Sequence, residues 1–259
     1  MNTALTIAGS DGSGGAGIQA DLKTMTANKV FGMSVITSVT VQNTMGVTGV
    51  FDVDLDCVRG QLDAVFSDIF PDSVKIGMVS SKELISVIAE RLAFYKPKNI
   101  VLDPVMVSTS GHALLAQDAM ESLTEKLFPL ADLITPNIPE AQMLLGCEIT
   151  NKDEMQAAAK RLYEKFNVAV LLKGGHMAEN GSDLLYFGDE FIWFKGKHID
   201  NPNTHGTGCT LSSAIASRLA KGEDLKTAVE NAKSYISGAI ADMMDLGHGS
   251  GPINHMWAL

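Results

Sequence analysis

The stretch NTHGTGCTLSSAIA, residues 203–216, sets a short glycine-rich loop against a helical pattern in which Leu211, Ala214, Ile215 and Leu219 share one face. Glycines let successive backbone N–H groups turn toward one point, and the helix that follows adds the positive end of its dipole. Gly206, Thr207 and Gly208 therefore suit a phosphate or an incipient anion. The competing reading is N-capping by Thr207, with the glycines serving only the turn. Cys209 falls in the first helical turn, where the dipole lowers a thiol's pKa and equips it as nucleophile or proton acceptor, unless it is a small buried residue. Asp103 in NIVLDP and Glu140 in TPNIPEA carry hard oxygens suited to Mg2+ through its waters, or equally to helix caps and solvated faces. Lys173 in LLKGG could meet a phosphate or lie at a surface turn. GxxxxGK[ST] occurs nowhere, so this is not a Walker A loop.

A second glycine cluster, Gly12-Ser-Gly14-Gly15-Ala-Gly17, follows a strand and opens a helix, satisfying GxGxxG. A dinucleotide site also needs an acidic residue at the end of the next strand, where this chain has Gln42 and Asn43. Half the fingerprint is missing, and a turn needing glycine only for its backbone geometry is the plainer alternative.

These residues need a frame. Strand-like runs TALTIAG, MSVITSVTV, SVKIGMV, NIVLDPVMV, ADLITPN and VAVLLKGG alternate with helical patterns over residues 16–28, 55–70, 82–95, 117–127, from Pro139, and 152–166. SDLLYFGD and EFIWFKG read as an antiparallel pair, and helices begin at Thr207 and Leu225. The alternation predicts an α/β fold with a largely parallel central sheet covered on both faces. Ligands of such sheets bind beyond the carboxyl ends of the strands, where Gln42, Met78, Asp103, Asn137 and Lys173 stand. No linker, repeat or low-complexity tract divides the 259 residues, so one domain is expected.

With 20 Lys+Arg against 30 Asp+Glu, the net charge of -10 disfavours nucleic acid and anionic membrane as partners, and an anionic substrate must be met locally. The start lacks the basic leader and apolar run of a secretory signal, and no stretch is long and apolar enough to span a membrane, so a cytoplasmic protein is expected. Cys57, Cys147 and Cys209 form no CxxC pair and suggest neither a disulfide framework nor zinc.

Taken together, AGSDGSGGAGIQADLKT, VQNT, KIGM, DPVMVSTSG, ITPNIPEA, LLKGG and NTHGTGCTLSSAIA resemble, in order and across essentially the whole chain, the ribokinase-like superfamily. Within it the resemblance is to the hydroxymethylpyrimidine and phosphomethylpyrimidine kinases of thiamin biosynthesis. It implies one ribokinase-like domain over residues 1–259, a three-layer α/β/α fold, ATP and Mg2+ as cofactors, and a homodimer. It implies that the loop of Gly206, Thr207 and Gly208 holds the transferring phosphoryl group. Asp21 and Gln42 would hydrogen-bond the aminopyrimidine, with Met78 and Val105 enclosing it. Asn137 and Glu140 would lie near Mg2+ and the phosphates, Asp103 in the same cluster, and Lys173 and Thr204 on the nucleotide side. Cys209 falls where most sugar kinases of the superfamily carry an aspartate base. Gly12 stands where relatives more often have Pro or Ser. A sister group that phosphorylates pyridoxal departs from QNT and from GTGC, both intact here. Pyridoxal kinase is the alternative within the class, and a dinucleotide-dependent oxidoreductase the rival from another. A non-catalytic binding module would leave Cys209, Asp103 and Glu140 without a shared task.

Overall fold

The computed structural model describes residues 1–106, 115–175, 182–196 and 199–259, so residues 107–111 of DPVMVSTSG lie outside the described residues. Among the described residues nine strands make one sheet: β1 (Thr3–Asp11), β2 (Phe31–Asn43), β3 (Gly46–Asp52), β4 (Ser73–Ile76), β5 (Ile100–Leu102), β6 (Leu133–Ile134), β7 (Ala169–Leu172), β8 (Asp183–Phe187) and β9 (Glu190–Phe194). Their order is β3-β2-β1-β4-β5-β6-β7-β8-β9. The six strands from β2 to β7 in that order run parallel; β3 at one edge and β8 near the other pair antiparallel with them, and β9 pairs antiparallel with β8.

The helices are α1 (Gly17–Ala27), α2 (Leu55–Asp68), α3 (Lys82–Tyr95), α4 (Gln117–Ser122), α5 (Ile138–Leu145), α6 (Lys152–Phe166), α7 (Thr207–Ala220) and α8 (Leu225–Ala241). Alternate residues of a strand point to opposite faces, which makes two cores from one sheet. Ile100, Leu102, Val170 and Leu172 pack with α2, α3, α5 and α6, whereas Val101, Ala169 and Leu171 pack with α7 and α8. The three-layer α/β/α architecture follows.

Two elements depart from the pattern in the sequence. The helix expected over residues 117–127 leaves α geometry after Ser122 and runs on as a wider π turn over Leu123–Leu127. Strand β3 is absent from the sequence-based reading because Gly46 and Gly49 interrupt it and nearly all of its residues are exposed, which removes the two-residue periodicity.

Beneath the carboxyl ends of β1 and β4 lies a buried polar tie. The Lys75 ammonium of β4 donates to both carboxylate oxygens of Asp21 on α1, at 3.0 and 2.8 Å, and neither side chain is exposed. Thr6 Oγ1 of β1 and Ser213 Oγ of α7 also donate to Asp21, at 2.6 and 2.5 Å. Burial alone would lower the Lys75 pKa, but Asp21, with smaller help from Cys209 and Asp103, holds it above its ordinary value. One carboxylate thus joins two strands and two helices.

The C-terminal segment folds back on α7 and α8. His255 is buried, its Nε2 lies 3.1 Å from Thr210 Oγ1, and its carbonyl accepts from Tyr235 Oη at 2.6 Å. Burial, with the Lys23 charge adding to it, pushes this imidazole down to about 4.

Removing one partner of a buried pair strands the other charge. Lys75→Met should therefore lose about 3–5 kcal/mol in urea unfolding, and Lys75→Met combined with Asp21→Asn should lose less than the single change. A single-variant loss below about 1 kcal/mol would show the tie to be replaceable. His255 gives a pH signature. It is neutral when folded, while its unfolded form takes up a proton near pH 6.5, so the protein keeps its full stability above that pH. Stability should fall by roughly 1.4 kcal/mol per pH unit from about 6.5 toward about 4. His255→Gln should flatten that slope, measured as unfolding free energy against pH beside the wild type.

Candidate active site

The residues after the parallel strands converge on the N-terminus of α7. No side chain caps this helix among the described residues: the capping position is Gly206, at φ +82°, and Thr207 is the first helical residue. The capping role considered for Thr207 is therefore corrected. A Cβ at position 206 would collide with the Gly15 carbonyl oxygen, so both conformation and the approach of the first glycine loop require glycine there. The first intrahelical bond runs from Thr210 N–H to Gly206 C=O, at 2.9 Å. The amides of Gly208 and Cys209 thus precede the first intrahelical donor, Thr210 N–H, and remain available to an anion.

On one side stands a cluster from β5, β6 and β7. Asp103 follows β5, Lys173 follows β7, and their charged groups meet at 2.9 Å. Thr135 Oγ1 donates to the same Asp103 oxygen at 3.2 Å, while Oδ2 faces Gly208, where a Cβ would stand 3.3 Å away. Burial alone would lower the Lys173 pKa, but Asp103 and then Glu140 hold it raised, so it stays an ammonium. Glu140 and Asn137 form a capping box on α5: Asn137 Oδ1 accepts from Glu140 N–H at 2.9 Å and Glu140 Oε2 from Asn137 N–H at 2.8 Å. The other Glu140 oxygen accepts from Met106 N–H at 3.1 Å. Burial and the Asp103 charge raise the Glu140 pKa, with Lys173 opposing.

Among the described residues no group of three metal-ligating side chains forms. Two carboxylates with a lysine beside them do not make a resident all-protein metal cage. They do fit Mg2+, which keeps several waters and takes one or two carboxylates together with substrate phosphates.

On the other side stands the end of β2. Gln42 Oε1 lies 3.0 Å from Thr40 Oγ1, and its terminal nitrogen lies 3.0 Å from Nε2 of His205. Met78 contributes its carbonyl to Thr37 Oγ1 at 3.1 Å and its methyl to the space over Gly9. Val105 is half-buried and adopts φ +44°, a left-handed conformation strained for a β-branched residue. Pro104 precedes it and the Glu140 bond to Met106 follows it, so both sides of the strained residue are fixed.

Asp21 is a correction. It is fully buried, and the two oxygens are occupied by Lys75, Thr6 and Ser213, so it supports the floor of the site and cannot reach a substrate. Cys209 is a second. Burial is the largest influence on its thiol, and with the Asp21 and Asp103 charges it outweighs Lys75 and the Gly17 amide, leaving the pKa raised. The helix dipole does not yield a resting thiolate here. Thr204 is exposed, with its carbonyl accepting from Thr207 N–H at 3.3 Å.

The GxGxxG loop does something other than cradle a pyrophosphate. Asp11 at the end of β1 accepts from the amides of Ser13, Gly15 and Ala16, at 2.9, 3.2 and 2.9 Å. A protein carboxylate already occupies the anion-binding amides that a dinucleotide would use. Gly12 itself has open space where a Cβ would be, so its departure from Pro or Ser costs no packing. Two residues of the site were missed. Lys75 was visible as the one charged residue in a four-residue buried strand, and His205 as the ionisable member of NTHGTGC.

The chain has many relatives. The chain is 50% identical to the hydroxymethylpyrimidine/phosphomethylpyrimidine kinase of Rhizobium meliloti, over 97% of this chain and 96% of that protein. It is 45% identical to the Escherichia coli enzyme of the same name, over 98% and 97%. It also aligns with the thiamine biosynthesis bifunctional protein ThiED of Geobacter sulfurreducens at 51% identity, spanning 98% of this chain but about half, 52%, of that longer protein. Among solved structures, phosphomethylpyrimidine kinase from Clostridium difficile superposes with a TM-score of 0.85 at 48% identity, covering 93% of this chain and 100% of that one. The ADP complex of Bacillus subtilis pyridoxal kinase superposes with a TM-score of 0.92 at 39% identity, covering 98% and 97%. The phosphomethylpyrimidine kinase family's sequence pattern matches residues 11–254, and with full-length relatives at this identity the chain belongs to that family of ribokinase-like phosphotransferases.

Proposed function

We propose that the chain, as one kinase domain, uses ATP and Mg2+ to phosphorylate 4-amino-5-hydroxymethyl-2-methylpyrimidine and then its monophosphate, in thiamin biosynthesis. The observation that carries this is the convergence on one uncapped helix N-terminus of an amide pair, a lysine–carboxylate cluster and a glutamine amide. Phosphoryl transfer is largely positioning and charge stabilisation, which such a convergence supplies.

In this reading the loop of Gly206, Thr207 and Gly208 holds the transferring group, which the amides of Gly208 and Cys209 receive while Thr207 N–H stays with the Thr204 carbonyl. Asp103 and Glu140 hold Mg2+ through its waters, and Mg2+ supplies charge neutralisation between the phosphates. Lys173, Asn137 and Thr204 face the nucleotide, while Gln42, Met78 and Val105 take the heterocycle. Pyridoxal is the second acceptor to consider, since the Bacillus subtilis neighbour is a pyridoxal kinase. The glutamine favours the aminopyrimidine, whose edge offers both a donor and an acceptor. No helix among the described residues is long and apolar enough to cross a membrane, consistent with a cytoplasmic enzyme. A homodimer is supported by the edge ribbon of β2 and β3, where Val39, Val41, Val47, Val50 and Phe51 are all exposed.

Gln42→Leu should weaken pyrimidine binding about tenfold or more and leave ATP·Mg binding unchanged, read by titration calorimetry. Retained pyrimidine affinity would move the ring elsewhere. Cys209 separates the two steps. An alcohol must lose a proton as it attacks, and a positioned base contributes roughly 10²–10⁴-fold; a phosphate monoester is already largely ionised near neutrality, its second pKa being about 6. Cys209→Ala should therefore slow kcat with the free alcohol far more than with the monophosphate. Because the thiol pKa is raised, the alcohol reaction of the wild type should keep climbing with pH through neutrality. Equal losses with both acceptors would make Cys209 a shaper of the anion site, and no loss would make it packing.

A further inference from the structure

His205 precedes the α7 capping glycine and faces two groups through one nitrogen. Its Nε2 lies 3.1 Å from Asp11 Oδ2 and 3.0 Å from the terminal amide of Gln42. Asp11 is buried and accepts from Ser13 N–H, Ser13 Oγ, Gly15 N–H and Ala16 N–H. Four donors on two oxygens leave it acceptor-only. Burial alone would raise its pKa, but His205 and then Ser13 and Ala16 hold it well below the usual carboxylate range. The His205 nitrogen facing it must therefore carry a hydrogen, one that Asp11 and the Gln42 amide share, and a ring N–H cannot also accept from an amide N–H.

The same demand arises at the far side of Gln42. Thr40 Oγ1 lies 3.0 Å from the Ser10 carbonyl and 3.0 Å from the Gln42 amide. A hydroxyl has one hydrogen, and the carbonyl can only accept, so Thr40 accepts from Gln42. The oxygen and nitrogen of a glutamine amide fill equivalent positions, and their partners decide between them. Both neighbours decide alike: the amide oxygen faces His205 and the amide nitrogen faces Thr40.

We propose that His205, anchored by Asp11, is a positioning residue that fixes the orientation of the Gln42 amide and so the way round in which the heterocycle binds. With one hydrogen given to Thr40 and one lone pair given to His205, Gln42 keeps one donor and one acceptor in a set order. That order complements a ring nitrogen beside an exocyclic amino group. The reversed amide would require the ring to turn over relative to the anion site, which begins at the very next residue, Gly206. The aminopyrimidine part of this inference rests on the proposed function; the orientation of Gln42 does not.

Two measurements test it. Long-range proton–nitrogen correlation on the ligand-free wild type should show the His205 ring protonated at Nε2; a tautomer protonated only at Nδ1 overturns the assignment. Calorimetric titration should find hydroxymethylpyrimidine binding weakened about tenfold in His205→Leu, with ATP·Mg binding within twofold of wild type. His205→Gln, whose amide nitrogen can reach the Nε2 position, should recover most of the loss. Unchanged pyrimidine affinity in His205→Leu, or equal losses in both variants, overturns the positioning role. Wild-type protein that bound no pyrimidine would sink the functional reading alone, and the tautomer measurement would still decide His205.

Discussion

The structure depends on a helix end left without a cap. The first amides of any helix lack intrahelical partners, and most helices here answer with a side chain: Asp54 on α2, Ser81 on α3, Asn137 on α5, Asn151 on α6 and Asp224 on α8. Helix α7 has glycine at that position, and nearly every residue behind it is buried. Its amides therefore point into a space enclosed by loops rather than at a capping oxygen. Leaving them uncapped costs stability and preserves an anion site. The rest of the fold brings other loops to that point: Gly15 against Gly206, Asp11 and Gln42 against His205, Asp103 against Gly208.

A protein of net charge -10 must still assemble positive groups around phosphates. It pairs lysines with carboxylates that keep them protonated, buried Lys75 with Asp21 and partly buried Lys173 with Asp103. The two pairs have different duties. Lys75 and Asp21 are sealed from solvent with their bonds mutually satisfied, so they define where α1, β4 and α7 sit. Lys173 remains partly accessible and spends only some of its three hydrogens on Asp103, leaving capacity for a ligand. Cys209 lies among the same groups: burial first, and then the Asp21 and Asp103 carboxylates that stabilise the lysines, disfavour a thiolate there.

The frame was legible in the sequence because its strands and helices are fully committed to one face or another. Helices α3 and α6 begin and end where their apolar spacing predicts, each opening on a polar side-chain cap and closing on a left-handed residue, Lys96 or Asn167. Strand β3 was not legible, since an exposed edge with two glycines carries no burial pattern. At the site, the elements that face the ligand could be placed by position alone, as residues following a strand. What could not be read was how acidic groups divide their lone pairs. Asp21 and Asp11 look equivalent in AGSDGSGGAGIQADLKT, yet one is sealed under the site and the other organises its loop, a difference made by Lys75 and His205 from distant parts of the chain.

That division of lone pairs also explains why a GxGxxG sequence can sit in a fold that does not use it for dinucleotides. In the dinucleotide fingerprint the loop amides stay free for a pyrophosphate. Here Asp11, directly before the first glycine, turns back and takes three amides from that loop, so those amides are not free for a pyrophosphate. The loop is left rigid, and its Gly15 carbonyl and Asp11 carboxylate become the surface against which residues 205 and 206 are set. One glycine loop has given up anion binding to shape another, and the chemistry moves from the helix that follows β1 to the helix near the C-terminus.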